Sequence, residues 1–107
     1  SVLLTDGIPV NTELFVNDIG AGYGPVAFAD GTPSSSMTFS YASLNDPGDG
    51  LAFSKDNGGS FGAAVSADVN GCDTQVTHIR FRMNGAFGFT PGAPYPSFTV
   101  RFRVRVK

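Results

Sequence analysis

Tryptophan is missing from the 107-residue sequence, cysteine and histidine occur once each, and only 15% of residues are charged. A lone cysteine has no intramolecular partner, which excludes the small secreted folds held by several disulfides. A lone histidine, His78, set among alternating strand residues with no G-x-S-x-G elbow, leaves little from which to assemble a nucleophilic triad. No apolar run approaches the roughly 18 residues that a membrane span needs, and the first residues lack the basic-then-apolar order of a signal peptide. The chain is therefore expected to be soluble as it stands, with any export signal already removed. With 41% hydrophobic residues, it is too apolar and too weakly charged for disorder, so a packed core is expected.

What is present points to strands. Fourteen glycines and seven prolines make up a fifth of the chain, and there are ten phenylalanines. This balance favours short strands joined by turns and argues against a helical fold. No sustained i, i+3, i+4 apolar pattern occurs. The clearest strand is the last, where Phe98, Val100, Phe102, Val104 and Val106 fall on one face and Thr99, Arg101, Arg103, Arg105 and Lys107 on the other. Val76 to Met83 alternates as well, with Thr77, Ile79, Phe81 and Met83 opposite Val76, His78, Arg80 and Arg82. Further strands are expected at Val2 to Thr5, Glu13 to Val16, Pro25 to Ala29, Met37 to Tyr41 and Leu51 to Ser54, with a weaker one at Ser60 to Ser66. The breakers between them are spaced as in a β-sandwich, so the class is all-β, in antiparallel sheets, as one module spanning 1–107. At about 25 cal/mol per Å² of apolar area, an inward Phe and Val set is a large stabilising term.

Three motifs carry chemistry in principle. Ser54, Asp56, Gly58, Ser60 and Phe61 fit the spacing S-x-D-x-G-x-[ST]-[WF]. This looks like an Asp-box, a hairpin motif of propeller-type glycosidases and other secreted β-proteins. A short acidic side chain accepts backbone N–H bonds across a glycine-permitted turn, which makes the motif a folding device, and a single copy cannot build a propeller. Acidic turns at Asn45, Asp46 and Asp49 and at Asp68, Asn70 and Asp73 offer oxygen ligands of the kind calcium takes. Neither matches the D-x-[DN]-x-[DN]-G loop, and Asp and Asn are also ordinary turn residues. Gly20, Gly22 and Gly24 read G-x-G-x-G, but a strand rather than a helix follows, which removes the nucleotide-binding reading. No catalytic residue, cofactor or metal ligand is assigned. Cys72 is expected to be a small residue beside the turn Asn70 to Asp73.

Charge is unevenly distributed. Six of the seven basic residues, Arg80, Arg82, Arg101, Arg103, Arg105 and Lys107, follow Asp73, and all nine acidic residues lie at or before it. If the two basic strands pair, a stripe forms that needs acidic partners such as Glu13, solvent, or an external anion. Partners from the acidic half or solvent are the favoured account, because the net charge is −2 and no aromatic interleaves the stripe as a nucleic-acid platform requires.

The opening LTDGIPVNTELFV resembles the LTDxIPxNTxxxV signature of the conserved repeat modules in bacterial cell-surface and secreted proteins. GPVAFADGTPSS, FSKDNGGSF, DVNGCDTQVTHIRFRMNG and FTVRFRVRV extend the likeness, in order, over nearly the whole chain. The resemblance implies an immunoglobulin-like β-sandwich displayed in tandem on exported proteins, with no catalytic residue to carry over. Cys72 stands where such modules tend to have a bulkier residue. They also usually begin earlier, with a strand pair around YxIxVxN. The expectation is a sandwich lacking its first strands, with a sheet edge that is left short and guarded by the charged last strand, as a monomer. The functional expectation is a non-enzymatic structural or adhesive extracellular module whose partners are neighbouring modules or other surface proteins. The alternative is a carbohydrate- or calcium-binding accessory module of a larger secreted protein. Neither nucleic-acid binding nor membrane insertion is expected.

Overall fold

A computed structural model describes residues 2–20 and 22–107. Among the described residues the chain is all-β: β1 Val2–Gly7, β2 Thr12–Phe15, β3 Val26–Asp30, β4 Leu51–Ser54, β5 Cys72–Asp73, β6 His78–Met83, β7 Phe98–Phe102 and β8 Val104–Val106. All strand pairs are antiparallel, in the orders β1-β6-β4, β5-β2-β8 and β3-β7. The arrangement is compatible with a β-sandwich.

β6 is the middle strand of its sheet. Its alternation places Ile79, Phe81 and Met83 inward at 0–2% exposure, with Leu51 and Phe53 of β4 beside them. From the other sheets come Leu14 and Val26, with Phe28, Phe98, Val100 and Phe102 packed against the same cluster. Six phenylalanines form a continuous aromatic path from Phe87 through Phe98, Phe28, Phe39 and Phe81 to Phe102, with centroid spacings of 5.5–6.4 Å. Such offset and tilted pairs add to the stabilisation from buried area alone.

The last alternating run divides. Phe98–Phe102 pairs with β3, the chain crosses at Arg103, whose carbonyl accepts from Phe15 N at 2.8 Å, and Val104–Val106 pairs with β2. Arg101, Arg103 and Arg105 face outward as expected, whereas Val106 does not face the core. It lies opposite Thr12, the first residue of β2, where the sheet runs out past the core, and is 75% exposed. Val76, read as belonging to the wet face of β6, is buried because it precedes the strand and joins the core.

Two expected strands do not form. Over Met37 to Tyr41 only Thr38 pairs, in an isolated bridge with Asn84 that prolongs the β4 side of the sheet. Residues 61–66 carry no strand because Asn45 takes the backbone of Val65, its amide donating to Val65 O at 2.9 Å and its oxygen accepting from Val65 N at 2.8 Å. Val2–Gly7 does form a strand, and it pairs along the whole of β6. The first stretch therefore supplies β6 with a neighbour, while the charged segment borders the other two sheets.

Candidate functional site

Most aspartates among the described residues face inward upon their own loops. Asp18 accepts from the amides of Gly20, Gly22 and Gly24 at 2.9, 2.9 and 3.1 Å, so the G-x-G-x-G segment is an anion cradle already filled by its own carboxylate. The Gly20 bond leads in lowering the pKa of Asp18. Asp30 accepts from Ser34 Oγ, from Ser35 Oγ and N, and from Gly31 N at 2.5–3.0 Å; the serine hydroxyls lead in holding its carboxyl far below the ordinary 3.8. Asp68 accepts from Asn70 N and Cys72 N at 2.8 and 3.0 Å. Burial pushes the Asp73 carboxyl up, but the amides of Gln75 and Ser66 and the Lys55 ammonium, 3.2 Å away, outweigh it and leave it below normal.

The Ser54 to Phe61 segment is built on the same plan. Asp56 accepts from Ser60 Oγ at 2.6 Å, Ser54 Oγ at 2.7 Å and Ser60 N at 2.9 Å, which hold its carboxyl at about 2. Ser54 Oγ accepts in turn from Gly58 N at 2.9 Å. Asn57 and Gly58 adopt φ of 59° and 83°, the left-handed pair that Asn-Gly suits. Gly62 N and Ala63 N close on Phe53 O, but no second strand follows, so the unit is a capped turn rather than a full hairpin.

The basic residues do not make one stripe. Both sides of β6 are taken by β1 and β4, so Arg80 and Arg82 lie in a different sheet from Arg101, Arg105 and Lys107. Arg105 pairs with the buried Glu13 at 3.0 Å, the partner anticipated for it. Arg103 lies over the Phe15 ring at 5.4 Å. Cys72 is fully buried in β5, which pushes its thiol pKa up. His78 is half-buried, its Nδ1 3.2 Å from Thr77 Oγ1. Among the described residues no three His, Cys, Asp or Glu side chains gather as a metal site, and no helix is long and apolar enough to cross a membrane.

Among the described residues, a concave feature with uncommitted donors lies over the outer face of β4 and β6. It is a groove of about 330 Å³ floored by Ala52, Arg80 and Arg82 and walled by residues 44–47, 49–50 and 61–64. Ala52 sits opposite Arg80 in the register, and its small side chain gives the groove its depth. The Arg80 guanidinium lies 4.5 Å over the Phe61 ring, a cation–π contact that fixes its plane. Arg82 Nη2 donates to Asp49 O at 3.3 Å. Among the described residues neither arginine has a carboxylate partner, because the Asp49 carboxylate is turned onto the amides of Ala42, Ser43 and Leu51. Asp46 Oδ1 accepts from Gly48 N at 2.7 Å, and its other oxygen has no protein donor among the described residues. Arg80, Arg82 and Phe61 were legible as candidates. Asn45 and Asp46 were legible only as an acidic turn, and Ala52 not at all, since they reach the arginines only through folding.

No family model, curated protein or solved structure matches the chain.

Proposed function

We propose that this chain is a non-catalytic structural or adhesive module of an exported bacterial surface protein, of the immunoglobulin-like repeat kind that its motifs resemble. The observation that carries the reading is the commitment of Asp18, Asp30, Asp49, Asp56, Asp68 and Asp73 to backbone amides and hydroxyls of their own loops. Carboxylates held in this way, with pKa values lowered at Asp18, Asp30, Asp56 and Asp73, serve as turn staples and make poor general acids. The same commitment weighs against calcium, because it leaves these carboxylates fewer lone pairs aimed away from their own loops. The groove beside Arg80 and Arg82 favours a second reading, a glycan-binding accessory module of a larger secreted protein.

A panel of ester, glycoside, phosphoester and peptide substrates, run beside thermal melts in calcium and in EDTA, tests the main reading. No turnover and coincident melts are expected. Turnover removed by Asp56→Asn or His78→Ala in a folded chain overturns it. A calcium site at 100 times its Kd raises stability by about 2.7 kcal/mol, enough to separate the melts.

A further inference from the structure

We propose that the groove over β4 and β6 binds the carboxylate of an acidic sugar, a uronic acid unit, with Arg80 and Arg82 receiving the carboxylate and Asp46 receiving sugar hydroxyls. This deepens the glycan-binding reading above and rests on it.

The groove leaves two guanidiniums without an anionic partner among the described residues. Two guanidiniums on one strand, two residues apart and on the same face, stand roughly 7 Å apart at their backbones. Both lack a carboxylate among the described residues. Arg80 is held in plane by Phe61, so less freedom is lost when it pairs with a planar anion. Arg82 spends one nitrogen on Asp49 O and keeps its other donors. A planar, fork-accepting carboxylate matches these donors.

The wall chooses among carboxylates. Asp46 brings a negative charge to the same groove, with one oxygen lacking a protein donor. A polyanion is repelled there, whereas a ligand with a single carboxylate and neutral hydroxyl donors satisfies both sides at once. Leu44, Pro47, Ala52 and Ala63 supply apolar contact for the C–H face of a ring. At about 330 Å³ the groove lies at the small end of ligand sites, the size of one sugar unit rather than of a long chain. Gly50 lets its backbone lie close to β6, since a Cβ there would stand 2.6 Å from the Arg82 carbonyl and 2.9 Å from the Phe39 ring.

The test is an amide NMR titration of the whole chain with D-glucuronate and D-galacturonate, set against D-glucose, neutral oligosaccharides, acetate and inorganic phosphate. The expected result is saturable shifts confined to residues 44–52, 61–64 and 80–82 with a uronate, absent with glucose and weaker with acetate. Arg82→Gln, at an exposed position, should weaken binding roughly tenfold or more while the spectrum elsewhere is unchanged. Arg80→Gln should do the same, and the Arg82 variant carries the test if loss of the Phe61 stack disturbs folding. Phosphate saturating the same amides as tightly as a uronate overturns the carboxylate assignment. Neutral oligosaccharides shifting these amides, with uronates inert, overturns it while leaving the glycan-binding reading standing. No shift from any sugar overturns both.

Discussion

β6 and the segment Phe98 to Val106 carry the same pattern, apolar residues alternating with arginines, yet they are buried to different depths. Ile79, Phe81 and Met83 are sealed at 0–2% exposure, while Phe98, Val100, Phe102 and Val104 are only half-buried and Val106 is open. The difference lies in sheet order. β6 has β1 on one side and β4 on the other, whereas β7 and β8 each stand at the border of a sheet. Alternation tells which way a side chain points, and the number of neighbouring strands decides how completely it is covered.

The largest expected effect separates the two regions directly. Phe81→Ala should cost about 3–5 kcal/mol, as for a sealed aromatic, and bring a domain of ordinary stability close to unfolding. Phe102→Ala, whose ring faces Phe81 at 6.2 Å from a border strand, should cost about 1–3 kcal/mol. Chemical denaturation of both variants checks the order, and equal losses would break the comparison.

Next in size is Arg105→Ala. It leaves Glu13, 5% exposed, without its cation, but Arg105 itself is half-exposed, so the expected loss is about 1–3 kcal/mol, between the surface and buried limits. A double-mutant cycle with Glu13→Gln isolates the pair, and a coupling indistinguishable from zero would make β8 a strand held by backbone alone.

Acid should distinguish the two regions by sequence of events. A carboxyl whose folded pKa is depressed contributes stability above its unfolded pKa and loses it as pH falls through the folded one. The ordinary value is 3.8; Asp56, in the turn that leaves β4, is held at about 2, and Asp30, in the turn that leaves β3, is held lower still. Lowering the pH from 4 should therefore release the Ser60 amide, in the turn after β4, before the Ser35 amide, in the turn after β3. Amide chemical shifts followed against pH read this order, and reversal contradicts the assigned partners.

The smallest expected effect is Val106→Thr, which should change stability by less than about 0.5 kcal/mol because nothing covers the side chain. A loss comparable to that of Phe102→Ala would mean that β8 is buried by something beyond its own sheet.

Much of this was legible before folding. The inward faces of β6 and β7 followed from period-two alternation, and the Asp56 turn from the spacing of Ser54, Gly58 and Ser60. The crossing at Arg103 was not legible, because the alternation runs through it unbroken while the partner strand changes from β3 to β2. Met37 to Tyr41 and Ser60 to Ser66 have strand-like composition, but their backbones are satisfied by an isolated bridge and by the Asn45 side chain, long-range contacts that local composition cannot report. The groove escaped for a related reason. Arg80 and Arg82 stood out as charges, but the residues that wall them in come from two loops 16 to 38 positions earlier in the chain.

The stapled loops bear on how such a sequence can drift. Asp18, Asp30, Asp56 and Asp68 each accept from donors within six positions of themselves, while Gly31 N also ties the Asp30 turn to Ser97 O and Asn57 N ties the Asp56 turn to Thr77 Oγ1. Each carboxylate thus holds a local turn, whose exposed residues are free to vary so long as the aspartate, its donors and these cross-ties stay. Changes in one loop should be nearly additive with changes in the next. The 44–50 loop is tied through a side chain at two points, since Asn45 both donates to and accepts from Val65 twenty positions away. Its sequence cannot change alone, and that coupling falls on the wall of the groove.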